Sequence, residues 1–321
     1  MTLTLGLQLP TYDCADGSAV PWPRLRRLAR MAEAVGVDAL WVADHFHYHR
    51  PGERSIGFWE AWTVLAAAAE ATRSVRLGPL VLCTLLREPA LVAKMAATLD
   101  EISAGRLILA LGSGAQRTQQ QRPEFGGFGF PDDHLVGRFA EAAQIIASLL
   151  RDGHIDFHGT YHRQVQCDLS PAGPTSGGPA IWVGAAGPRM LQLAAKWGDA
   201  VAVNEPCTDV AAVADALARV DAACHAVGRD PATLGRTGYA FVSFADSSAD
   251  LTGRRKLALR GEPAEIAHRL LMFHKAGMEH IQCVVDDGAE RAAPRFWPTL
   301  TETGIERFAA VVGALHRMQT R

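Results

Sequence analysis

The residues with the most obvious capacity for chemistry are Asp44 and His45, which follow an apolar segment, 38–43, of strand length. An imidazole titrates near neutral pH, so His45 can donate or accept a proton. The Asp44 carboxylate can accept hydrogen bonds from a bound ligand. We therefore predict that His45 is catalytic and that Asp44 contacts the ligand. His47 and His49 lie further along the same run and are expected to be exposed loop residues.

A second segment suited to ligand binding joins the apolar run 180–183 to a helical pattern. Its residues are Gly184, Ala185, Ala186, Gly187, Pro188 and Arg189. Small residues let backbone N–H groups approach an anion, and a helix N-terminus adds partial positive charge. The same pattern also fits a tight turn that binds nothing. Arg189 either adds a charge to the anion site or is solvated.

The stretch 75–116 reads as strand, helix and strand, which is typical of a parallel βαβ unit. Ligands on parallel sheets bind where strands end at their carboxyl edge. Two such ends occur here, one at Leu80, Val81 and Cys83 and the other at Ser113 and Gly114. We predict that this unit forms the floor of an active site.

Apolar runs alternate with helical patterns along the whole chain, and no linker or repeat divides it. Strands are predicted at 3–9, 38–43, 75–82, 106–111, 180–183, 200–204, 238–244 and 280–285. The alternation favours a single TIM (β/α)8 barrel domain over 1–321, with insertions after strands three to five. No GxGxxG follows the first strand, which disfavours a doubly wound dinucleotide fold. Asp132 or Asp133 is expected to cap the helix that ends near 151.

The composition indicates a globular protein: 48% of the 321 residues are hydrophobic and 21% are charged, with a formal net charge of −2. No basic stripe suggests nucleic-acid binding, and no apolar run reaches the ~18 residues of a membrane span. Six cysteines without CxxC spacing and an N-terminus unlike a signal peptide fit the cytoplasm. We expect a cytoplasmic homodimer that acts on a small molecule.

His45 and His47 also form an HxH pair like that of TIM-barrel metal-dependent hydrolases. That class needs further ligands on later strands, whereas the other histidines fall on a helix or in an irregular insertion. These are His134, His154, His158 and His162. We therefore expect no metal site, and a barrel that binds a cofactor without turning it over is a further alternative.

Four segments resemble the luciferase-like flavin/deazaflavin oxidoreductases, in the right order and over nearly the whole chain. They read WVADHF (41–46), PALVAKMAATLDEISAGRLILALGSG (89–114), PAIWVGAAGPRMLQLAAKWGDAVAVN (179–204) and GEPAEIAHRLLMFHKAGMEHIQ (261–282). The resemblance implies a TIM barrel that binds FMN or coenzyme F420. Its members transfer hydride or, in the FMN branch, activate oxygen.

An Asp-His pair at this place is common in the deazaflavin branch, so the resemblance favours F420, with an FMN-dependent luciferase-like monooxygenase as the alternative. It implies that 184–189 holds the cofactor phosphate and that Asp44 meets a polar edge of the cofactor. Leu80-Val81 would form a bulge behind the central ring, often with a cis peptide, and Cys83, Ser113 and Gly114 would lie beside it.

One departure concerns the residues after the strand-four glycine. Ala115, Gln116 and Arg117 stand where the sugar-phosphate dehydrogenase branch carries its proton-donating glutamate. Sugar-phosphate oxidation is therefore not expected, and the acid role passes to His45 or to no residue. The loop 116–129 is expected to line the substrate pocket.

Overall fold

The computed structural model describes residues 2–13, 17–49, 54–114, 122–244, 257–287 and 300–320. These residues contain eight parallel strands: β1 (Thr4–Gln8), β2 (Ala39–Val42), β3 (Arg76–Pro79 and Leu82–Cys83), β4 (Ile108–Gly112), β5 (Ala180–Ala185), β6 (Ala200–Pro206), β7 (Gly235–Ser243) and β8 (His280–Asp286). β1 pairs with β2 and β8, and the other strands follow in order around the sheet. The second piece of β3 pairs with β4, which closes the barrel. The predicted TIM barrel is confirmed, and each predicted strand overlaps an observed one.

Helices form the outer layer of the barrel. They are α1 (Trp22–Ala34), α2 (Ala61–Ala71), α3 (Pro89–Ile102), α4 (Arg122–Gly127), α5 (Leu135–Asp152), α6 (Pro188–Trp197), α7 (Val210–Ala226), α8 (Pro263–Lys275) and α9 (Glu302–Gln319). Their apolar faces pack on outward-facing strand residues such as Leu5, Leu7 and Leu109, which creates one large core. Within the described ranges, no helix is both long and apolar enough to cross a membrane.

The described additions to the barrel follow β2 and β4, whereas the sequence predicted them after strands three to five. They are the hairpin His47–Tyr48/Ile56–Gly57, the short helix α4, and the hairpin His154–His158/Arg163–Asp168. Pro89 and Pro188 occupy the first helical positions of α3 and α6, so those helices begin within a few residues of β3 and β5. The predicted cap of α5 is wrong: its N-cap is His134, which makes no side-chain capping bond.

The lower barrel interior is filled by the rings of Trp41, Trp182 and His280, whose centroids lie 5.1 to 5.5 Å apart. Trp41 Nε1 donates to His280 Nε2 at 3.1 Å, so His280 carries its proton on Nδ1 and donates it to Thr4 Oγ1 at 2.8 Å. Burial lowers the pKa of His280 to about 3. This uncharged layer closes the barrel below the carboxyl ends of the strands.

Candidate active site

His45 lies just beyond the carboxyl end of β2, at the mouth of the barrel. Its ring centroid is 5.3 Å from that of Phe58, and about a fifth of its side chain is exposed (22%). His45 Nδ1 lies 3.2 Å from Glu124 Oε2. An ionised carboxylate only accepts hydrogen bonds, so this contact places the ring proton on Nδ1. His47 and His49 are half-buried, where exposure was expected.

Glu124 is a site residue that the sequence analysis missed. It lies on the short helix α4, its side chain is 2% exposed, and its Oε1 accepts the Phe46 amide at 2.6 Å. One carboxylate therefore holds both the ring of His45 and the backbone that follows it. The signal in the sequence is slight: Glu124 is the only acidic residue between Gly114 and Asp132.

Asp44 is fully enclosed and bound to protein groups. Arg87 donates to both of its oxygens, at 2.8 and 3.0 Å, and the Cys83 amide donates to Oδ2 at 2.9 Å. Arg87 also bonds Glu60 at 2.6 Å, the residue whose carboxylate caps α2. Burial lowers the pKa of Arg87, but these two carboxylates outweigh that effect and raise it, so the guanidinium stays charged. Asp44 thus fixes the edge between β2 and β3, and its predicted cofactor contact stays a prediction.

Between the two pieces of β3 the Leu80–Val81 peptide bond is cis, as expected from the resemblance. The Val81 side chain extends across β4 and β5. A Cβ added at Gly112 would lie 2.4 Å from Val81 Cγ2, and one added at Gly184 would lie 3.0 Å from Cγ1. Val81 therefore requires glycine at 112, and it packs tightly against Gly184. The three residues form a narrow shelf, here called the Val81 shelf, at the carboxyl ends of three neighbouring strands.

Cys83 and Gly114 meet beside this shelf. A Cβ on Gly114, whose φ is +72°, would lie 3.2 Å from the Cys83 sulfur and 3.0 Å from Phe125. Cys83 is buried in an apolar cluster with Leu85 and Phe125, and burial raises the pKa of its thiol. Cys83 therefore stays an uncharged packing group. Ser113 is half-buried, and its hydroxyl contacts the Gly114 carbonyl at 3.4 Å.

The segment 184–189 leads from β5 directly into α6. Gly187 is the N-cap of α6, Pro188 is its first residue, and among the described residues no side chain caps the helix. A Cβ added at Gly187 would meet no atom of the described residues within 4 Å. Ala185 is buried, Ala186 is half-buried and Arg189 is exposed. The uncapped N-terminus of α6 therefore faces open space, as an anion site requires.

A family model described as luciferase-like monooxygenase matches residues 5–255, more than three quarters of the chain. The chain belongs to this family. The match covers seven of the eight barrel strands, from β1 to β7, and every residue predicted for the site.

Several curated relatives carry coenzyme F420 in their names. The F420-dependent hydroxymycolic acid dehydrogenase of Mycobacterium tuberculosis (strain H37Rv) is 33% identical over 231 residues, which cover 70% of this chain and 60% of that protein. The 5,10-methylenetetrahydromethanopterin reductase of Archaeoglobus fulgidus is 32% identical over 180 residues, covering 56% and 48%. The chain thus spans less than two thirds of the length of either relative.

Solved structures of the luciferase-like fold superpose on nearly the whole chain. An F420-dependent secondary alcohol dehydrogenase in complex with an F420-acetone adduct has a TM-score of 0.76 at 19% identity, covering 98% of this chain and 99% of that one. A monooxygenase from Streptomyces bottropensis has a TM-score of 0.72 at 22% identity, covering 100% and 99%. At these identities the likeness establishes the fold.

The structure brings His45, Asp44 and Cys83 together at one edge of the mouth, and Val81 together with Gly184. The predictions for Ala115, Gln116 and Arg117, and for the first part of the loop 116–129, fall outside the described residues. In the part of the chain that the structure describes, no group of three or more His, Cys, Asp or Glu side chains is placed to hold a metal ion. The HxH hydrolase hypothesis thus has no ligand set among those residues.

Proposed function

We propose that this protein is an oxidoreductase that binds coenzyme F420 and transfers hydride between it and a small organic substrate. Family membership supports the class of enzyme, and the F420-dependent relatives support the choice of cofactor. The structural observation that carries the proposal is the open, uncapped N-terminus of α6 at Gly187, at the same barrel mouth as His45.

The residues at this mouth fit the two ends of such a cofactor. The α6 N-terminus offers backbone N–H groups and partial positive charge to a phosphate. The Val81 shelf is uncharged and apolar, which suits the face of a flat ring system. When bound, the deazaflavin ring would donate or accept the hydride.

His45 moves the proton that must accompany hydride transfer to or from a carbonyl. Its Nδ1 proton is directed to Glu124, so Nε2 is the nitrogen that takes up or releases a proton. Glu124 stabilises the ring's orientation, because its carboxylate accepts a hydrogen bond from His45 Nδ1 at 3.2 Å. Asp44 and Arg87 hold the β2 edge beneath His45.

An FMN-dependent monooxygenase is the second candidate. The family description and the structural likeness to a monooxygenase favour it. An apolar shelf and a helix N-terminus would also serve FMN, which has a flat ring and a phosphate. The choice between the two cofactors therefore depends on a direct comparison.

Titration of the purified protein with F420 and with FMN, followed by fluorescence quenching, tests the proposal. We expect tighter binding of F420, and we expect Gly187→Leu to weaken it at least tenfold by blocking the helix terminus. Ala211→Leu, an equally bulky change in the exposed first turn of α7, is the control and should bind F420 as the wild type does. Micromolar FMN binding without F420 binding would support the monooxygenase instead.

A further inference from the structure

Two glutamines meet inside the barrel, above the layer of Trp41, Trp182 and His280. Gln8 is the last residue of β1, and Gln282 lies two residues beyond His280 on β8. Gln282 Nε2 donates to Gln8 Oε1 at 3.0 Å. Both residues are more than nine-tenths buried, at 9% and 6% exposed.

Strand alternation fixes the direction in which the pair points. Thr4, Gly6 and Gln8 share one face of β1, and Gly6 is the register partner of Gln282. A Cβ on Gly6 would lie 2.1 Å from Trp41 Nε1 and 2.7 Å from His280 Nε2, so this face is the barrel interior. The glutamine pair is therefore nearer the carboxyl ends of the strands than the ring layer is, on the floor of the mouth.

One shared hydrogen bond does not satisfy two amides. Gln8 Nε2 and Gln282 Oε1 have no hydrogen bond to the described residues, and neither is among the fully enclosed polar atoms that lack a partner. If both amides were turned over, the roles would exchange and the pair would still offer one donor and one acceptor. A buried pair of this kind is costly unless a ligand or water completes its hydrogen bonds.

We infer that Gln8 and Gln282 form a recognition element for an uncharged substrate group that carries an acceptor and a donor side by side. A lactam, a primary amide and a hydroxy-ketone have this arrangement. A charged group is disfavoured, because neither glutamine offers a countercharge at a place where desolvation is expensive. The inference rests on the proposed function, since it takes the barrel mouth as the place where the substrate binds.

The test compares two probes on the wild-type protein, with and without F420, by saturation-transfer NMR. δ-Valerolactam presents a carbonyl beside an N–H, and N-methyl-δ-valerolactam lacks the donor. We expect the first to bind about tenfold more tightly, because the N-methyl compound leaves a buried acceptor unpaired. Equal binding of both probes, or no binding of δ-valerolactam, would overturn the inference.

Variants then locate the preference. Gln8→Met and Gln282→Met should each abolish the difference between the probes, whereas Gln164→Met, at a half-buried position of the second hairpin, should retain it. If Gln8→Met or Gln282→Met folds and still prefers δ-valerolactam, other residues cause the preference and the inference is overturned. F420 titration of the same samples distinguishes a failure of this inference from a failure of the proposed function. A wild type that selects the lactam without binding F420 retains the recognition element but loses the proposed function.

Discussion

Arg87 binds Asp44, the residue before His45, through two parallel hydrogen bonds. Nη1 donates to Oδ2 at 2.8 Å and Nη2 donates to Oδ1 at 3.0 Å. The Asp44 side chain is fully enclosed and that of Arg87 is 9% exposed. Arg87 also binds Glu60, the N-cap of α2. A single guanidinium therefore connects the carboxyl ends of β2 and β3 to the start of α2. His45, the proposed acid–base group, therefore follows a buried and charge-paired support.

Loss of Arg87 should reduce stability more than it affects any chemical step. Arg87→Met leaves the buried Asp44 carboxylate without its cation, and we expect the free energy of unfolding to fall by about 3–5 kcal/mol. Urea unfolding measures the change. Arg26→Met, at an exposed arginine of α1, is the matched control and should change stability little. A loss in Arg87→Met no larger than in the control would contradict the supporting role.

Replacing His45 should affect turnover and leave the fold intact. We expect His45→Ala to lower turnover by roughly 100-fold, the usual size of a general acid–base contribution. F420 affinity should change far less, because the proposed phosphate site is on α6. The measurement is F420-linked turnover and melting temperature on one sample, with His225→Ala on the exposed surface of α7 as control. Unchanged turnover in a stably folded variant would remove His45 from the mechanism.

Glu124 should act through His45. Glu124→Gln retains an oxygen for the Phe46 amide but weakens the contact that orients the His45 ring, so turnover should fall by roughly tenfold, less than in His45→Ala. In a His45→Ala background, Glu124→Gln should lower turnover hardly any further. Independent, additive losses in the double variant would contradict a positioning role.

His280 makes stability depend on pH. Its folded pKa of about 3 lies below its ordinary value of 6.5, so the unfolded chain binds the extra proton first as the pH falls. The His280 contribution is complete above pH 6.5 and is lost towards pH 3, at up to about 1.4 kcal/mol per pH unit. His280→Gln, which can still accept from Trp41, should flatten this dependence in urea unfolding. The exposed His268→Gln should retain the wild-type slope.

The sequence predicted the barrel because eight apolar runs alternate with helical patterns, and local periodicity carries that information. It also placed His45 and Asp44 correctly at the end of β2, since the carboxyl end of a strand is a local property. It could not pair Glu124 with His45, because 78 residues separate them and no local pattern links the two. Nor could it show that Arg87 binds both carboxylate oxygens of Asp44, or that Gln282 donates to Gln8 across 273 intervening residues. Such contacts depend on the closure of the barrel.

The Val81 shelf couples three positions that lie far apart in the chain. Gly112 can change to alanine only if the side chain at 81 moves or shrinks, and alanine at 184 would press on the same side chain, because the added Cβ atoms would lie 2.4 and 3.0 Å from Val81. Related sequences should therefore vary at these positions as a set. A substrate or cofactor ring of a different shape would require a different Val81 shelf. Such a change needs paired substitutions on separate strands, so we expect the shelf to evolve more slowly than the loops around it.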